Sequence, residues 1–226
     1  MSELICVMGE SGTGKSTSVR TLDPKETAIV NCIGKPLPIK GWKSDYTKFT
    51  KEGGNYFASD KSDHIIQFLK AVSEKRPDIK NIVIDDLVYV MTNEFMRRSA
   101  ETGFAKYTEL AKNLWNVFNA SKELRDDIKV FVLTHSDSVP GEFGEKPTIK
   151  MKSVGKLVDN VINPMGLFTI LLSTDVKKLE NGTMEYRFVT NNDGTYPAKS
   201  PMGMFSELYI PNDLGAVSKA IDEYYK

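Results

Sequence analysis

The stretch Gly9-Glu10-Ser11-Gly12-Thr13-Gly14-Lys15-Ser16 decides the fold of this chain, because it fits the phosphate-binding pattern G-x-x-x-x-G-K-[ST]. The apolar residues 4–8 before it predict a buried strand, and residues 17–22 after it predict a helix. Glycines let the backbone turn its N–H groups toward a phosphate, and the following helix adds the positive end of its dipole. This context favours a triphosphate-binding loop over a glycine-rich turn that matches by chance.

Each residue type in the loop has an expected task. Lys15 is predicted to reach the β- and γ-phosphates of ATP, and the hydroxyl of Ser16 to complete the coordination of Mg²⁺. The remaining nucleotide contacts are expected from the rest of the loop and its first helical residue, namely Gly9, Glu10, Ser11, Gly12, Thr13, Gly14 and Thr17.

Length and composition set the frame for this site. The 226 residues suffice for one α/β domain, predicted over residues 1–226, and the formal net charge of zero means that any basic surface must be local. Cys6 and Cys32 are not spaced as metal ligands and are predicted to be buried, reduced thiols, which favours the cytoplasm over a disulfide-forming compartment. No signal pattern precedes the loop and no apolar run approaches the roughly 20 residues of a membrane span, so no membrane partner is expected.

A second nucleotide motif lies in mid-chain. Residues 81–84 are apolar enough for a buried strand, and Asp85 and Asp86 follow, which is the Walker B pattern. Carboxylates at the end of a parallel strand face the crevice where open α/β sheets bind ligands. Asp85 is therefore predicted as a metal ligand with Ser16, whereas Asp86 is either a catalytic carboxylate or a cap for the next helix.

The strand predicted over residues 129–135 ends in polar residues. His135 is the candidate for sensing the γ-phosphate, because its side chain can donate to a phosphate oxygen; a purely structural histidine is the alternative. Residues 136–156 are rich in Gly, Pro and Lys and predict a loop. Its basic cluster can contact a nucleic-acid backbone or simply be solvated, and it consists of Lys146, Lys150, Lys152 and Lys156.

Other segments are predicted more coarsely. Residues 33–59 predict a long loop whose aromatic side chains pin it to the core rather than stack on a base. Helices are expected over residues 60–74, 87–100, 105–125, 157–161 and 213–225, and strands over 27–32 and 167–174. Asn181-Gly182 predicts the turn of a C-terminal β-hairpin with positive φ at both positions.

Other phosphate-loop classes fit less well. A GTPase would carry Asp-x-x-Gly where this chain has Asp85-Asp86-Leu87-Val88, and a small-molecule kinase would carry an arginine-rich lid, whereas the arginines here are scattered. The order of motifs resembles the compact, phage-encoded RecA-core ATPases of the Rad-type, which are associated with single-strand annealing. This resemblance rests on the phosphate loop, the Ile-Val-Ile-Asp strand, the Leu-Thr-His tip, Lys156-Leu157-Val158-Asp159, and residues 186–190 and 196–200.

The resemblance implies a RecA-like, mostly parallel sheet flanked by helices with a C-terminal β-hairpin extension. It also implies an ATPase that acts in DNA recombination, annealing or replication, as a ring or filament of subunits on single-stranded DNA, with a single-strand-binding or replication protein as a possible partner. A basic finger from the neighbouring subunit is expected within Lys-x-Arg; here Lys199 matches and the arginine is absent.

The second departure from that pattern is the absence of a water-activating glutamate after the second strand. Asp86 can act as the base in its place, or hydrolysis is slow. Two alternative functions stay open: a nucleotide-gated recruitment module with little turnover, and a P-loop kinase of a small molecule.

Overall fold

The computed structural model describes residues 1–139, 147–154 and 164–226, and within them nine strands form one sheet. The strands are β1 (Glu3–Gly9), β2 (Thr27–Asn31), β3 (Tyr56–Ala58), β4 (Asn81–Asp85), β5 (Lys129–Val139), β6 (Thr148–Met151), β7 (Ile170–Lys178), β8 (Met184–Val189) and β9 (Tyr209–Pro211). The α-helices are α1 (Trp42–Asp45), α2 (Ser62–Lys75), α3 (Val88–Arg97), α4 (Ala105–Lys122) and α5 (Leu214–Tyr224). Two 3₁₀ helices span Ser16–Thr21 and Pro164–Leu167.

The strand order is β3-β2-β4-β5-β1-β7-β8-β9, with β6 paired to the extended end of β5. The strands from β3 to β7 run parallel, and β8 and β9 add antiparallel to the edge. β5 therefore separates the phosphate-loop strand β1 from the Walker B strand β4. This order confirms the predicted RecA-like, mostly parallel α/β sheet with its C-terminal β-hairpin extension.

The central strands are apolar on both faces because helices cover both faces of the sheet. In β1, Cys6 and Met8 pack into the cluster that contains residues of α2 and α4. The alternate residues Ile5 and Val7 pack into the cluster that contains residues of α5 and of the 3₁₀ helix after the phosphate loop. Both Cys6 and Cys32 are buried free thiols.

The segment over residues 33–59 contains more regular structure than the predicted long loop. α1 and β3 lie within it, and β3 extends the sheet by pairing with β2. Its aromatic side chains pin it to the core as predicted: Trp42 packs on Tyr56, Phe49 and Phe57 both pack on Phe68 of α2, and Tyr46 is buried. β3 was not predicted because the segment is rich in glycine and proline. It forms nevertheless, since pairing with β2 outweighs local propensity over so short a stretch.

Several predicted boundaries are wrong in a physically informative way. The segment predicted as a loop after His135 starts as strand, since β5 continues to Val139 and pairs antiparallel with β6. The strand predicted over residues 167–174 begins and ends later, as β7 from Ile170 to Lys178. The helix predicted over residues 60–74 begins at Ser62, and Asp60 before it accepts hydrogen bonds from Arg97 and Asn93 of α3.

The C-terminal hairpin is present, but its turn differs from the predicted one. Gly182 has a φ of 81°, whereas Asn181 is not among the described residues with positive φ. Gly182 donates to the carbonyl of Leu179, and Leu179 donates to that of Thr183. These bonds fit a turn closed by a left-handed glycine, so one positive-φ residue suffices where the two-residue turn needs two.

Some predictions lie outside the described residues, namely Lys146, Lys156 and the helix predicted over residues 157–161. Within the described ranges, none of the helices combines the length and apolarity needed to cross a bilayer.

Candidate functional site

A cleft of about 670 Å³ opens where β1, β4 and β5 end, at the carboxyl edge of the parallel strands. This edge is where open α/β sheets hold their ligands. The cleft is lined by residues of the phosphate loop, by one acid and by residues from distant segments, namely Ser11, Gly12, Gly14, Lys15, Ser16, Thr17, Arg20, Lys35, Pro36, Pro38, Asp86, His135, Tyr186 and Asn212.

Lys15 folds back over its own loop. Its Nζ donates to the carbonyls of Gly9 at 2.9 Å and Glu10 at 2.6 Å, and the residue is only 5% exposed. Burial lowers the pKa of Lys15 to about 8, although the charges of Asp86 and Asp85 act to raise it. A buried ammonium held by two carbonyls is a cation that a phosphate can recruit by offering a stronger partner.

The loop residues do not all face this cleft. Gly12 and Gly14 have φ values of 80° and 91°, which the curled backbone requires, and both line it with Ser11 and Thr17. The other predicted contacts lie on the opposite side of the loop, where a cavity of about 300 Å³ is lined by Gly9, Glu10 and Thr13 among others. The helix that follows is a six-residue 3₁₀ helix, so its dipole contributes less than the predicted α-helix would.

The close approach of β7 explains the first glycine of the motif. A Cβ on Gly9 would lie 1.7 Å from the Oγ1 of Thr174, a buried side chain that hydrogen-bonds Thr13 at 2.7 Å. We expect Gly9→Ala to lower the free energy of unfolding by about 1–3 kcal/mol through overpacking. Urea denaturation measures this, with Gly166→Ala as the matched control because no atom lies within 4 Å of its added Cβ. Equal effects of the two substitutions would contradict the packing argument.

Ser16 and Asp85 meet across the cleft floor. The Ser16 hydroxyl donates to Asp85 Oδ1 at 2.8 Å, and Asp85 is 1% exposed with its second oxygen lacking a hydrogen-bond partner. Burial, reinforced by the charge of Asp86, raises the pKa of Asp85 to about 6. A hydroxyl beside a buried carboxylate with a spare oxygen fits Mg²⁺, whose other ligands would be water and nucleotide oxygens.

Asp86 is the one described non-glycine residue with positive φ, at 61°. This backbone directs its carboxylate into the cleft, where Oδ1 lies 3.2 Å from His135 Nε2 and Oδ2 contacts Lys35 Nζ. Burial acts to raise the pKa of Asp86, but the hydrogen bonds from His135 and Lys35 outweigh it and lower that pKa. The Asp86 side chain does not cap α3, which has no side-chain cap. The structure thus brings Asp86 and His135 into contact, which the sequence did not predict.

The loop after β2 brings Lys35 into the cleft, and the sequence did not reveal this. Asn31, fully buried at the end of β2, accepts hydrogen bonds from the backbone N–H groups of Ile33 and Gly34 and donates to the carbonyl of Lys35 at 2.7 Å. These three bonds fix the loop backbone. A glycine- and proline-rich segment with one lysine carries no pattern that marks that lysine as functional.

The C-terminal hairpin supplies two further lining residues that were missed. Tyr186 of β8 and Asn212 after β9 both lie against Gly14 of the phosphate loop. Asn212 is 3% exposed and its Nδ2 has no hydrogen-bond partner. An orphaned buried amide beside a phosphate loop provides a donor for a ligand, and only the long-range pairing of the hairpin brings it there.

The remaining described candidates do not line this cleft. Lys199 is exposed, and its backbone pairs with Leu171 of β7. Lys150 lies in β6, and Lys152 follows it with its backbone N–H donated to the carbonyl of His135 at 2.8 Å. Among the described residues there is no cluster of three or more His, Cys, Asp or Glu side chains suited to a metal.

Comparison with known proteins agrees with this geometry. The family model described as "AAA domain" matches residues 3–202, which is most of the 226-residue chain. No curated protein matches the chain significantly. The matched region contains the phosphate loop, the Ser16–Asp85 pair and the Asp86–His135 pair. The chain is therefore a member of the AAA domain family of P-loop ATPases.

Proposed function

We propose that this protein binds ATP with Mg²⁺, hydrolyses it, and uses that cycle to assist DNA recombination, single-strand annealing or replication, as a phage-encoded RecA-like protein. One observation carries the coupling to DNA. The strand that bears Lys150 pairs with the end of β5, and Lys152, directly after that strand, donates its backbone N–H to the carbonyl of His135. A basic strand bound to phosphodiesters would therefore move the residue that contacts Asp86.

The chemistry follows from the positions of the side chains. Mg²⁺, held beside Ser16 and Asp85, would shield the charge of the triphosphate. Lys15 would turn from its two carbonyls to the β- and γ-phosphates. Asp86 would accept a proton from the attacking water as the bond between the γ-phosphorus and the β,γ-bridging oxygen breaks, so that ADP and phosphate form. His135 would orient the Asp86 carboxylate and report the loss of the γ-phosphate to β5 and β6.

The oligomer is part of the proposal. The exposed position of Lys199 supports a role in the active site of a neighbouring subunit, because the lysine is outside the cleft of its own chain. A head-to-tail contact of that kind builds a ring if it closes and a filament if it does not.

The test measures steady-state ATP turnover with and without single-stranded DNA at low salt. We expect DNA to raise turnover, and Lys152→Ala to weaken this response while leaving DNA-free turnover unchanged. Lys51→Ala is the matched control, because Lys51 is also an exposed lysine and is distant from Lys152 in the sequence. Turnover that is present but indifferent to DNA would refute the nucleic-acid role and keep the ATPase.

A second candidate function has its own support. Both oxygens of Asp86 are engaged, one by Lys35 and one by His135, so the proposed base is not available in this conformation. A protein with Asp86 held in this way would hydrolyse ATP slowly, and slow hydrolysis is sufficient for a nucleotide-gated module that recruits a replication or single-strand-binding protein. Substantial turnover by the isolated protein would argue against that candidate.

A further inference from the structure

Lys35 lies in the cleft, in the loop after β2, where the RecA-like pattern is expected to carry its water-activating glutamate. We propose that Lys35 leaves Asp86 for the γ-phosphate when ATP binds. Lys35 would then supply, from its own subunit, the positive charge that the absent arginine of the Lys-x-Arg finger would bring from a neighbouring subunit. The inference rests on the proposed ATPase function and concerns the same site. It involves an exchange of ion-pair partners, and no covalent bond forms or breaks in it.

The backbone around Lys35 is built to stay still while the side chain moves. Three hydrogen bonds between the Asn31 side chain and the backbone hold residues 33–35: Asn31 accepts two and donates one. Asn31 itself is fully buried. The Lys35 side chain is 44% exposed and lines the cleft. Rotation of one long side chain is therefore enough for the exchange, and the loop need not refold.

Asp86 is held so that it can lose Lys35 without losing its orientation. Lys35 contacts Oδ2, whereas His135 contacts the other oxygen, Oδ1, at 3.2 Å. After Lys35 departs, His135 still fixes the carboxylate and Oδ2 becomes available to a water molecule. The positive φ of Asp86 keeps the carboxylate directed into the cleft throughout.

The exchange depends on the γ-phosphate. ATP brings several anionic oxygens to a cleft that Lys15 and Lys35 both line, and a phosphate group offers a lysine stronger charge-assisted hydrogen bonds than a carboxylate already shared with histidine. ADP ends one phosphate short, so Lys35 stays on Asp86. Lys35 thereby distinguishes ATP from ADP and releases Asp86 only when there is a phosphate to attack.

The decisive experiment compares affinities for a non-hydrolysable ATP analogue and for ADP, both with Mg²⁺, by calorimetry. We expect Lys35→Met to weaken binding of the ATP analogue by about ten- to a hundredfold, as the loss of a charged hydrogen bond does, while ADP affinity changes by less than about threefold. Lys35→Arg should retain the preference for the analogue. Lys40→Met is the matched control, since Lys40 lies in the same loop, is exposed and does not line the cleft.

A loss that is equal for both nucleotides, or no loss for either, would overturn the role of Lys35. A wild-type protein that binds neither nucleotide would instead overturn the proposed function itself. Melting curves for each variant separate these outcomes from unfolding.

Subunit mixing tests whether the charge acts within one subunit. Lys35→Met mixed with Lys15→Ala should recover no turnover, because both residues serve the same site, whereas Lys199→Ala mixed with Lys15→Ala should recover some. Recovery in the first mixture would place Lys35 in the site of a neighbour and contradict the inference.

Discussion

Replacing Lys15 with alanine is expected to lower ATP turnover by at least about a hundredfold, as the loss of one preorganised group that stabilises transition-state charge does. The ammonium is nearly buried and donates to the carbonyls of Gly9 and Glu10. The Thr13 hydroxyl also donates to the Glu10 carbonyl, but it carries no charge and cannot replace the ammonium. Phosphate release by a labelled-ATP assay measures the loss, with Lys112→Ala on the exposed face of α4 as control.

The result also separates catalysis from folding. Lys15→Ala removes a buried charge and two hydrogen bonds together, so its effect on stability is the difference between two opposing contributions. Circular dichroism and thermal melting should show a folded protein. A folded variant that retains turnover near the wild-type rate would mean that the cleft is not the site of hydrolysis.

The second large effect concerns Asp85, for which function and stability oppose each other. Its pKa is about 6 in the folded protein against an ordinary value of 3.8, so the native state binds the proton more tightly than the unfolded chain does. The charged carboxylate therefore lowers the free energy of unfolding fully above about pH 6. This loss shrinks as the pH falls from about 6 to about 4, where the carboxyl is protonated in the native state. We expect Asp85→Asn to raise the free energy of unfolding by roughly 1–3 kcal/mol at pH 8 in the absence of nucleotide, with a smaller gain at lower pH.

The same substitution should remove stabilisation by Mg-ATP. When the Mg-ATP concentration is about a hundred times its dissociation constant, binding to the native state alone raises the free energy of unfolding of the wild-type protein by roughly 2.7 kcal/mol. The variant should gain little. Urea denaturation at pH 8 and pH 5, with and without Mg-ATP, measures both effects. Asp126→Asn, at an exposed aspartate, is the control. If Asp85→Asn destabilises the nucleotide-free protein, a partner other than Mg²⁺ must satisfy this carboxylate.

The parts of the site that were predictable are those that local sequence encodes. The loop from Gly9 to Ser16 and the acids after β4 are contiguous motifs, and the strand before each is apolar throughout. Parallel packing then brings Ser16 to Asp85, because β1 and β4 both end at the same edge of the sheet. The metal role of this pair remains a prediction.

The parts that escaped prediction depend on contacts between distant segments. Lys35 reaches the cleft because Asn31 fixes the backbone of its loop, and it pairs there with Asp86. Neither contact follows from a periodic pattern in the sequence. Asn212 and Tyr186 reach the phosphate loop only through the antiparallel pairing of β8 and β9. β6 was not predicted because it lies in a glycine- and proline-rich stretch. It forms because its pairing with β5 outweighs that local composition.

The strand order has a consequence for biosynthesis. β1 leaves the ribosome before the strands that it pairs with, since Glu3 pairs with Lys129 of β5 and Ile5 pairs with Ile170 of β7. A nascent chain must therefore carry a strand that is apolar on both faces until much of the polypeptide has been translated, which slows folding and invites aggregation or chaperone binding. The phosphate loop after β1 is therefore translated before β5 and β7, and it takes its final position only after these two strands have paired on either side of β1.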